Sequence, residues 1–275
     1  MMRRRLVFTI GIIIVVVLGV WIIFSLRGKN LFLSRQEFKK GAATWSEVLS
    51  QAAAQEAKGN LLEAKCLYEE LVNDFPNFPQ VVDWQKRVGD LNIRLLFSSA
   101  ITPGSRLYEI KSGDSLAKIA KKFNTTVELL KRSNGLLSNK IITGRKLKVR
   151  IGSFNIVVDK SQNILILKTD EEVIKNYVVS TGINNSTPTG TFKIINKLVS
   201  PTWFKTGAVV PPESPDNILG SRWMGLNLAN YGIHGTTDNG TLGQQITRGC
   251  IRMSNSDVEE LFTIMPVGAE VIIVD

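Results

Sequence analysis

The stretch "IHGTTDNGTLGQQITRGCIRM", Ile233 to Met253, holds the only histidine of the chain, His234, and one of its two cysteines, Cys250. Gly, Thr, Asn and Gln dominate the spacer between them. A thiolate attacks a carbonyl far better than a thiol, so a nucleophilic cysteine needs a base or a cation beside it. His234 is the sole imidazole available to take the thiol proton and return it to a leaving amine. If residues 248–252 are extended, alternation puts Arg248, Cys250 and Arg252 on one face, where guanidinium groups lower a thiol pKa and attract a carboxylate. The plain alternative for the same letters is a buried cysteine and a loop histidine.

Outward from this stretch the pattern is β-rich. "FNIVVDK", "NILILKT" and "VIKNYVVSTG" are Val- and Ile-rich with partial alternation, and "TPTGTFKII" is a further strand. The loop "SPTWFKTGAVVPPESPDNILGS" is long enough for a functional role such as a lid. "SDVEELFTI" reads as a helix opened by a Ser256/Glu259 capping box.

These letters add up to a signature. "HGT" followed by "TRGCIRMSN", together with "STGINNSTPTGTFKI" and "ILGSRWMGLN", resembles the YkuD-type L,D-transpeptidase family across residues 153–274. The resemblance implies a β-rich catalytic domain, residues 152–275, with a mixed sheet or sandwich. It implies Cys250 as acylated nucleophile, His234 as general base and Gly235 as the carbonyl that orients the imidazole, with Gly249 and Arg252 completing the catalytic motif. Thr247, Arg248 and Trp223 are expected at the substrate. The backbone N–H groups around Gly249 and Cys250 are expected to form an oxyanion hole. Many members carry a second histidine before the Gly-Cys pair; Arg248 stands there, which leaves His234 as the base.

The preceding segment, "LYEIKSGDSLAKIAKKFNTTVELLKRSNGLLSNKIITGRKLKVRI", reads strand, helix, helix, strand. Thr125 with Glu128 is expected to cap the second helix, and Asn134-Gly135 to close it. "SGDSLAKIAKKF", "LLKRSNGL" and "ITGRKLKV" resemble the motifs of a LysM domain, a βααβ module placed here at residues 106–151. The resemblance implies glycan binding between two loops, Gly113 to Leu116 and Gly135 to Ile141, with Gly113, Asp114, Ser115 and Leu116 as first candidates. Turn formation by the glycines and helix capping by Asp114 explain the same letters without a ligand. The module carries a net charge of +9 over residues 106–150 out of +10 for the chain. A scarcity of aromatics and an extracytoplasmic setting favour an anionic cell-wall polymer over nucleic acid as its partner.

Residues 36–97 show helical periodicity in a short all-α hairpin region and a following helix through Val81, Val82, Trp84, Val88, Leu91 and Leu95. The order "GN…EA…Y…L…FP" resembles one tetratricopeptide-type unit, either a plain spacer or a protein-binding face. Cys66 falls opposite its apolar stripe. "SSAITPGSR" provides a linker at residues 98–105.

At the N-terminus, residues 6–24 are uncharged and near the ~20 residues that cross a bilayer. Arg3, Arg4 and Arg5 precede them, and no small-x-small cleavage site follows, which favours a retained transmembrane anchor in residues 1–30 over a signal peptide. The rest of the chain is then expected outside the bacterial cytoplasmic membrane, where two cysteines are able to pair.

Together these readings predict a peptidoglycan L,D-transpeptidase forming 3→3 cross-links, with an L,D-carboxypeptidase or a non-catalytic peptidoglycan-binding protein as alternatives. Glycan strands and peptide stems are the expected partners. No cofactor and no metal are expected, because a zinc site needs more N/S ligands than one histidine and two cysteines provide. A papain-like endopeptidase places its cysteine before its histidine, the reverse of the order here.

Overall fold

The computed structural model describes residues 44–169, 172–205 and 207–275. The expected anchor and the first residues of the helical segment lie outside them. Among the described residues no helix is long and apolar enough to cross a membrane. The chain divides into two units, Met1–Glu47 and Val48–Asp275. In the first, the Thr44 N–H donates to Glu47 Oε2 at 2.8 Å and the Glu47 N–H to Thr44 Oγ1 at 3.4 Å, a capping box at the start of a helix.

Three helices come first: α1 Trp45–Ala57, α2 Leu61–Asp74 and α3 Val81–Leu96. Glu56 of α1 is held by Arg87, at 2.9 Å, and by Arg94, both on α3. The last two turns of α3 are buried almost all round, at Leu91, Asn92, Ile93, Leu95 and Leu96. A helix with one partner buries a stripe; one buried on all sides has two. Its second partner is the catalytic sheet, because Ile93 and Leu96 share an apolar cluster with Ile174 and Tyr177. Val82, expected inside, is 67% exposed on the uncovered first turn.

The LysM-like module follows as β1 Ser105–Glu109, α4 Leu116–Lys122, α5 Val127–Ser133 and β2 Lys146–Arg150, with β1 and β2 antiparallel. Its core is Ile110, Leu116, Ile119, Ala120, Leu130, Leu147 and Val149. The expected Thr125/Glu128 box is corrected by one residue: Thr126 is the N-cap, and its hydroxyl accepts from the Leu129 N–H at 2.9 Å. The same hydroxyl donates to the Thr263 carbonyl, so this cap doubles as a tie to the catalytic domain. Lys148 makes another tie, its Nζ donating to the carbonyls of Leu95 and Ser98 at 2.8 Å each.

The catalytic domain is built on one eight-stranded mixed sheet rather than two facing sheets. Its strands are β3 Phe154–Asp159, β4 Ile164–Thr169, β5 Val173–Val178, β7 Gly190–Val199, β10 Arg222–Leu226, β11 Gly232–His234, β13 Ile251–Arg252 and β14 Glu270–Val274. They lie in the order β13-β11-β10-β7-β14-β3-β4-β5. Ten-residue β7 joins the halves: its first residues pair with β14 and its last with β10. A parallel pair, β6 Thr181–Gly182 with β12 Gln245–Thr247, and a hairpin, β8 Trp203–Lys205 with β9 Ala208–Val210, lie outside the main sheet. Helix α6, Asn255–Ile264, packs Val258, Leu261, Phe262 and Ile264 into the core. Its cap is Ser254, which accepts from the Asp257 N–H at 3.1 Å; the expected Ser256/Glu259 box is thus two residues too late.

Edge strand β5 is covered by α3. Asn92 Nδ2 donates to the Ile174 carbonyl at 2.9 Å, and Lys175 Nζ sits 3.0 Å from Asp90 and 2.9 Å from Glu260. Removing residues 1–97 uncovers this edge. At ~1.5–3 kcal/mol for each buried side chain, Ile93 and Leu96 together stabilise by roughly 3–6 kcal/mol. Residues 98–275 are therefore expected to melt roughly 10 °C below residues 44–275 in scanning calorimetry. Equal melting temperatures would mean that the helical segment is a detached spacer.

Candidate active site

β11 and β13 pair in parallel, with Ile233 opposite Ile251 and His234 opposite Arg252. Both isoleucines are buried in the core, at 0% and 1% exposure. A strand turns alternate residues to opposite faces, so Gly232, His234 and Arg252 share the other face, and Cys250, immediately before β13, joins them. From the antiparallel neighbour, Trp223 stands opposite His234 and stacks on it, with ring centroids 6.0 Å apart and 19° between the planes. The Cys250 thiol donates to the Asn230 carbonyl at 3.5 Å, and its sulfur accepts from the Gly232 N–H. No disulfide joins it to Cys66, which lies exposed on α2.

His234 Nδ1 is 2.7 Å from the Gly235 carbonyl oxygen. A carbonyl only accepts, so Nδ1 carries the proton and Nε2 keeps its lone pair for proton transfer. Burial pushes the imidazole pKa down to about 4; the Gly235 bond opposes this weakly, and the Arg252 charge adds to it. Burial pushes the Cys250 thiol up from its ordinary value, against the Gly232 N–H and the Arg252 guanidinium. Near neutral pH the pair therefore rests as neutral thiol and neutral imidazole. Arg252 biases the two in opposite senses, favouring thiolate and disfavouring imidazolium.

The Gly-Cys turn is fixed by hydroxyls. Thr247 is 3% exposed; its Oγ1 donates to the Cys250 carbonyl at 2.6 Å and accepts from the Gly249 N–H at 3.1 Å. Two expectations are corrected here. Thr247 is enclosed and bonded within the turn rather than facing substrate, and the Gly249 N–H is already engaged, which removes it from the oxyanion donors and leaves the Cys250 N–H. Gly249 has φ +123°, and a Cβ there would lie 2.5 Å from the Tyr231 ring. That backbone breaks the expected extended run at residue 249, so Arg248 does not join the face that Cys250 and Arg252 share. Arg248 is exposed, whereas Arg252 donates to Thr241 Oγ1 at 3.2 Å and buries its Nε.

Sequence reading missed two residues beside these. Thr187, 1% exposed, bridges the Gly182 N–H and the Gly249 carbonyl. Asn255 accepts from the Ser221 N–H at 2.9 Å, and a Cβ on Gly235 would lie 2.2 Å from its Oδ1. The need for glycine at 235 is thus steric. Proline after Thr187 was a signal for the first, since it restricts the backbone of the preceding residue.

In the LysM-like module, Gly113 and Ser115 are exposed. Asp114 accepts from the Tyr108 hydroxyl and the Lys111 N–H, each at 2.8 Å, while Ser115, not Asp114, caps α4. Leu116 is 2% exposed in the module's core, which corrects its assignment to a glycan surface. Among the described residues, no three His, Cys, Asp or Glu side chains gather as metal ligands.

The depressed imidazole has a consequence for stability. Unfolded His234 binds a proton below about 6.5, whereas the folded one does so only near 4, so stability rises with pH between these values and is lost as pH falls through them. The loss is on the order of 3 kcal/mol. Urea unfolding of wild type and His234→Gln at pH 4.5 and 7 is expected to show a steeper acid loss for wild type. Parallel curves would refute a buried neutral imidazole.

A family model described as the L,D-transpeptidase catalytic domain, YkuD, matches residues 153–273, and a LysM domain model matches residues 108–150. "Putative L,D-transpeptidase YkuD" of Bacillus subtilis (strain 168) is 32% identical over 173 residues, which cover 60% of this chain and 97% of that protein. YqjB of the same strain, with the same description, is 38% identical over 126 residues, 44% of this chain and 70% of its own. An L,D-transpeptidase structure from Mycobacterium tuberculosis H37Rv aligns over 49% of this chain and 63% of its own, at 16% identity and TM-score 0.40. With a match that spans nearly the whole length of the first relative, the chain belongs to the YkuD-type L,D-transpeptidases, with a LysM domain ahead of the catalytic one.

Proposed function

We propose that this chain is a peptidoglycan L,D-transpeptidase that works through a cysteine thioester. The observation that carries the reading is the His234 tautomer: Nδ1–H is committed to Gly235, and Nε2 is left basic on the sheet face that also bears Cys250. Cys250 Sγ attacks the carbonyl of the third residue of a tetrapeptide stem while Nε2 takes the thiol proton. The Cys250 N–H stabilises the oxyanion. Collapse expels the terminal D-alanine, whose amine receives the proton from Nε2. A side-chain amine of a neighbouring stem then attacks the thioester, gives its proton to His234 and forms the 3→3 cross-link as the thiol is restored. Arg252 favours the thiolate in passing, and Trp223 holds the imidazole plane by stacking.

The LysM domain holds glycan strands beside the stems, through loops that include exposed Gly113 and Ser115. Residues 6–24 anchor the chain in the cytoplasmic membrane with both domains outside, a reading supported by the uncharged run and the three arginines before it.

Incubation of the full chain with a disaccharide-tetrapeptide is expected to release D-alanine and form dimers. Tripeptide monomers alone would replace transfer by hydrolysis, and no reaction would leave a binding protein. Cys250→Ala should form no mass adduct with a carbapenem while still sedimenting with cell-wall sacculi. His234→Ala should slow acylation about 10²–10⁴-fold. An adduct that survives Cys250→Ala, or one on Cys66, would remove the assignment.

A further inference from the structure

The two successive peptide planes that lead into Cys250 are each held by a buried threonine hydroxyl. Thr247 takes the Gly249 N–H. Thr187 Oγ1 donates to the Gly249 carbonyl at 2.9 Å and accepts from the Gly182 N–H at 2.7 Å. The Gly249 carbonyl and the Cys250 N–H belong to one planar, trans peptide and point in opposite directions. Whatever fixes the carbonyl therefore aims the N–H. Gly249 itself offers no resistance to rotation, because a residue without a Cβ tolerates many backbone angles, and its φ is +123°.

Thr187 is mounted firmly enough to do this. Its own carbonyl accepts from Lys160 Nζ at 2.9 Å, and that ammonium, 3% exposed, lies 2.8 Å from Asp275. Pro188 restricts the backbone angles open to it. Close packing completes the mount: a Cβ on Gly182 would lie 2.6 Å from the Thr187 nitrogen and 3.0 Å from the Gly249 Cα. A hydroxyl donating to the carbonyl also polarises the amide, which makes the N–H on its other side a better donor.

We propose that Thr187 is a positioning residue for acyl transfer, which sets the direction of the Cys250 N–H toward the developing oxyanion by holding the Gly249 carbonyl. The proposal rests on the enzymatic reading above, and it concerns a residue 62 positions away from the peptide it holds.

The test compares two reactions of the same thiol. Acylation by a carbapenem passes through an oxyanion; alkylation by iodoacetamide, a displacement at carbon, does not. Both rates are measured by intact-mass spectrometry on the full chain in a Cys66→Ala background, for wild type, Thr187→Val and Thr187→Ser, normalised to the folded fraction. Valine keeps the shape and removes the hydroxyl. It is expected to slow acylation at least about 10-fold, toward the 10²–10³-fold typical of a lost oxyanion donor, with alkylation unchanged; serine should restore acylation. If valine prevents folding, Thr187→Ala replaces it with the same two readouts. Equal loss in both reactions would mean a merely structural role, and undiminished acylation would mean no role; either overturns the proposal. Absence of an adduct on the wild type would instead overturn the enzymatic reading, and this inference with it.

Discussion

Parallel pairing of Ile233 with Ile251 buries both side chains on the core face of the sheet, and the period of two then dictates what stands on the other face. His234 and Cys250 are brought together by that pairing, although the loop between them is polar and carries no periodic pattern of its own. A slip of one residue would send both to the wrong side. The register is therefore specified by apolar burial, while the chemistry occupies the positions that burial leaves over. Trp223 follows by the same rule one strand further on, since Met224, its neighbour in β10, is buried opposite Ile233.

Burial creates a conflict at these positions. A sheet that excludes water from His234 also makes an imidazolium expensive, and it pushes the Cys250 thiol up as well. A pre-formed ion pair is thus the less stable resting state. The arrangement instead keeps both partners neutral and supplies a basic nitrogen by tautomer rather than by charge, through the Gly235 carbonyl. Proton transfer then accompanies attack, when the negative charge passes to the substrate oxygen and hydrogen-bond donors are worth most.

Much of this was legible in the letters. The alternation of "ILILKT" appears as alternating burial along β4, and the segments that carry His234 and Cys250 lead into paired strands, β11 and β13. What was illegible depended on backbone geometry or on distant partners. T-x-x-E fits Thr125 and Glu128, yet Thr126 is the cap, and its hydroxyl also donates to the Thr263 carbonyl, 137 residues away. The expected place of Arg248 on the face of Cys250 assumed an extended chain, which the positive φ of Gly249 denies. Leu116 follows the glycan-loop residues in sequence, but as the first residue of α4 it is buried in the module's core.

Two buried lysines hold joints that do not easily let go, one between modules and one inside the catalytic domain. Lys148 reaches from β2 to the carbonyls that end α3 and follow it, and Lys197 reaches from β7 to those of Phe262 and Met265 at the end of α6. In both, burial pulls the pKa down to about 8, the mark of an ammonium held in poor solvent by its acceptors. A cation at a helix C-terminus is favourable because the last carbonyls otherwise lack partners. Withdrawing the lysine would leave those carbonyls, and the space around them, unsatisfied. Residues 98–105, which read as a short linker, are drawn into this closure: Ser98 gives its carbonyl to Lys148, and Ser105 bonds back to Thr102. The LysM domain is consequently tied on both sides, to the end of α3 through Lys148 and to α6 through Thr126.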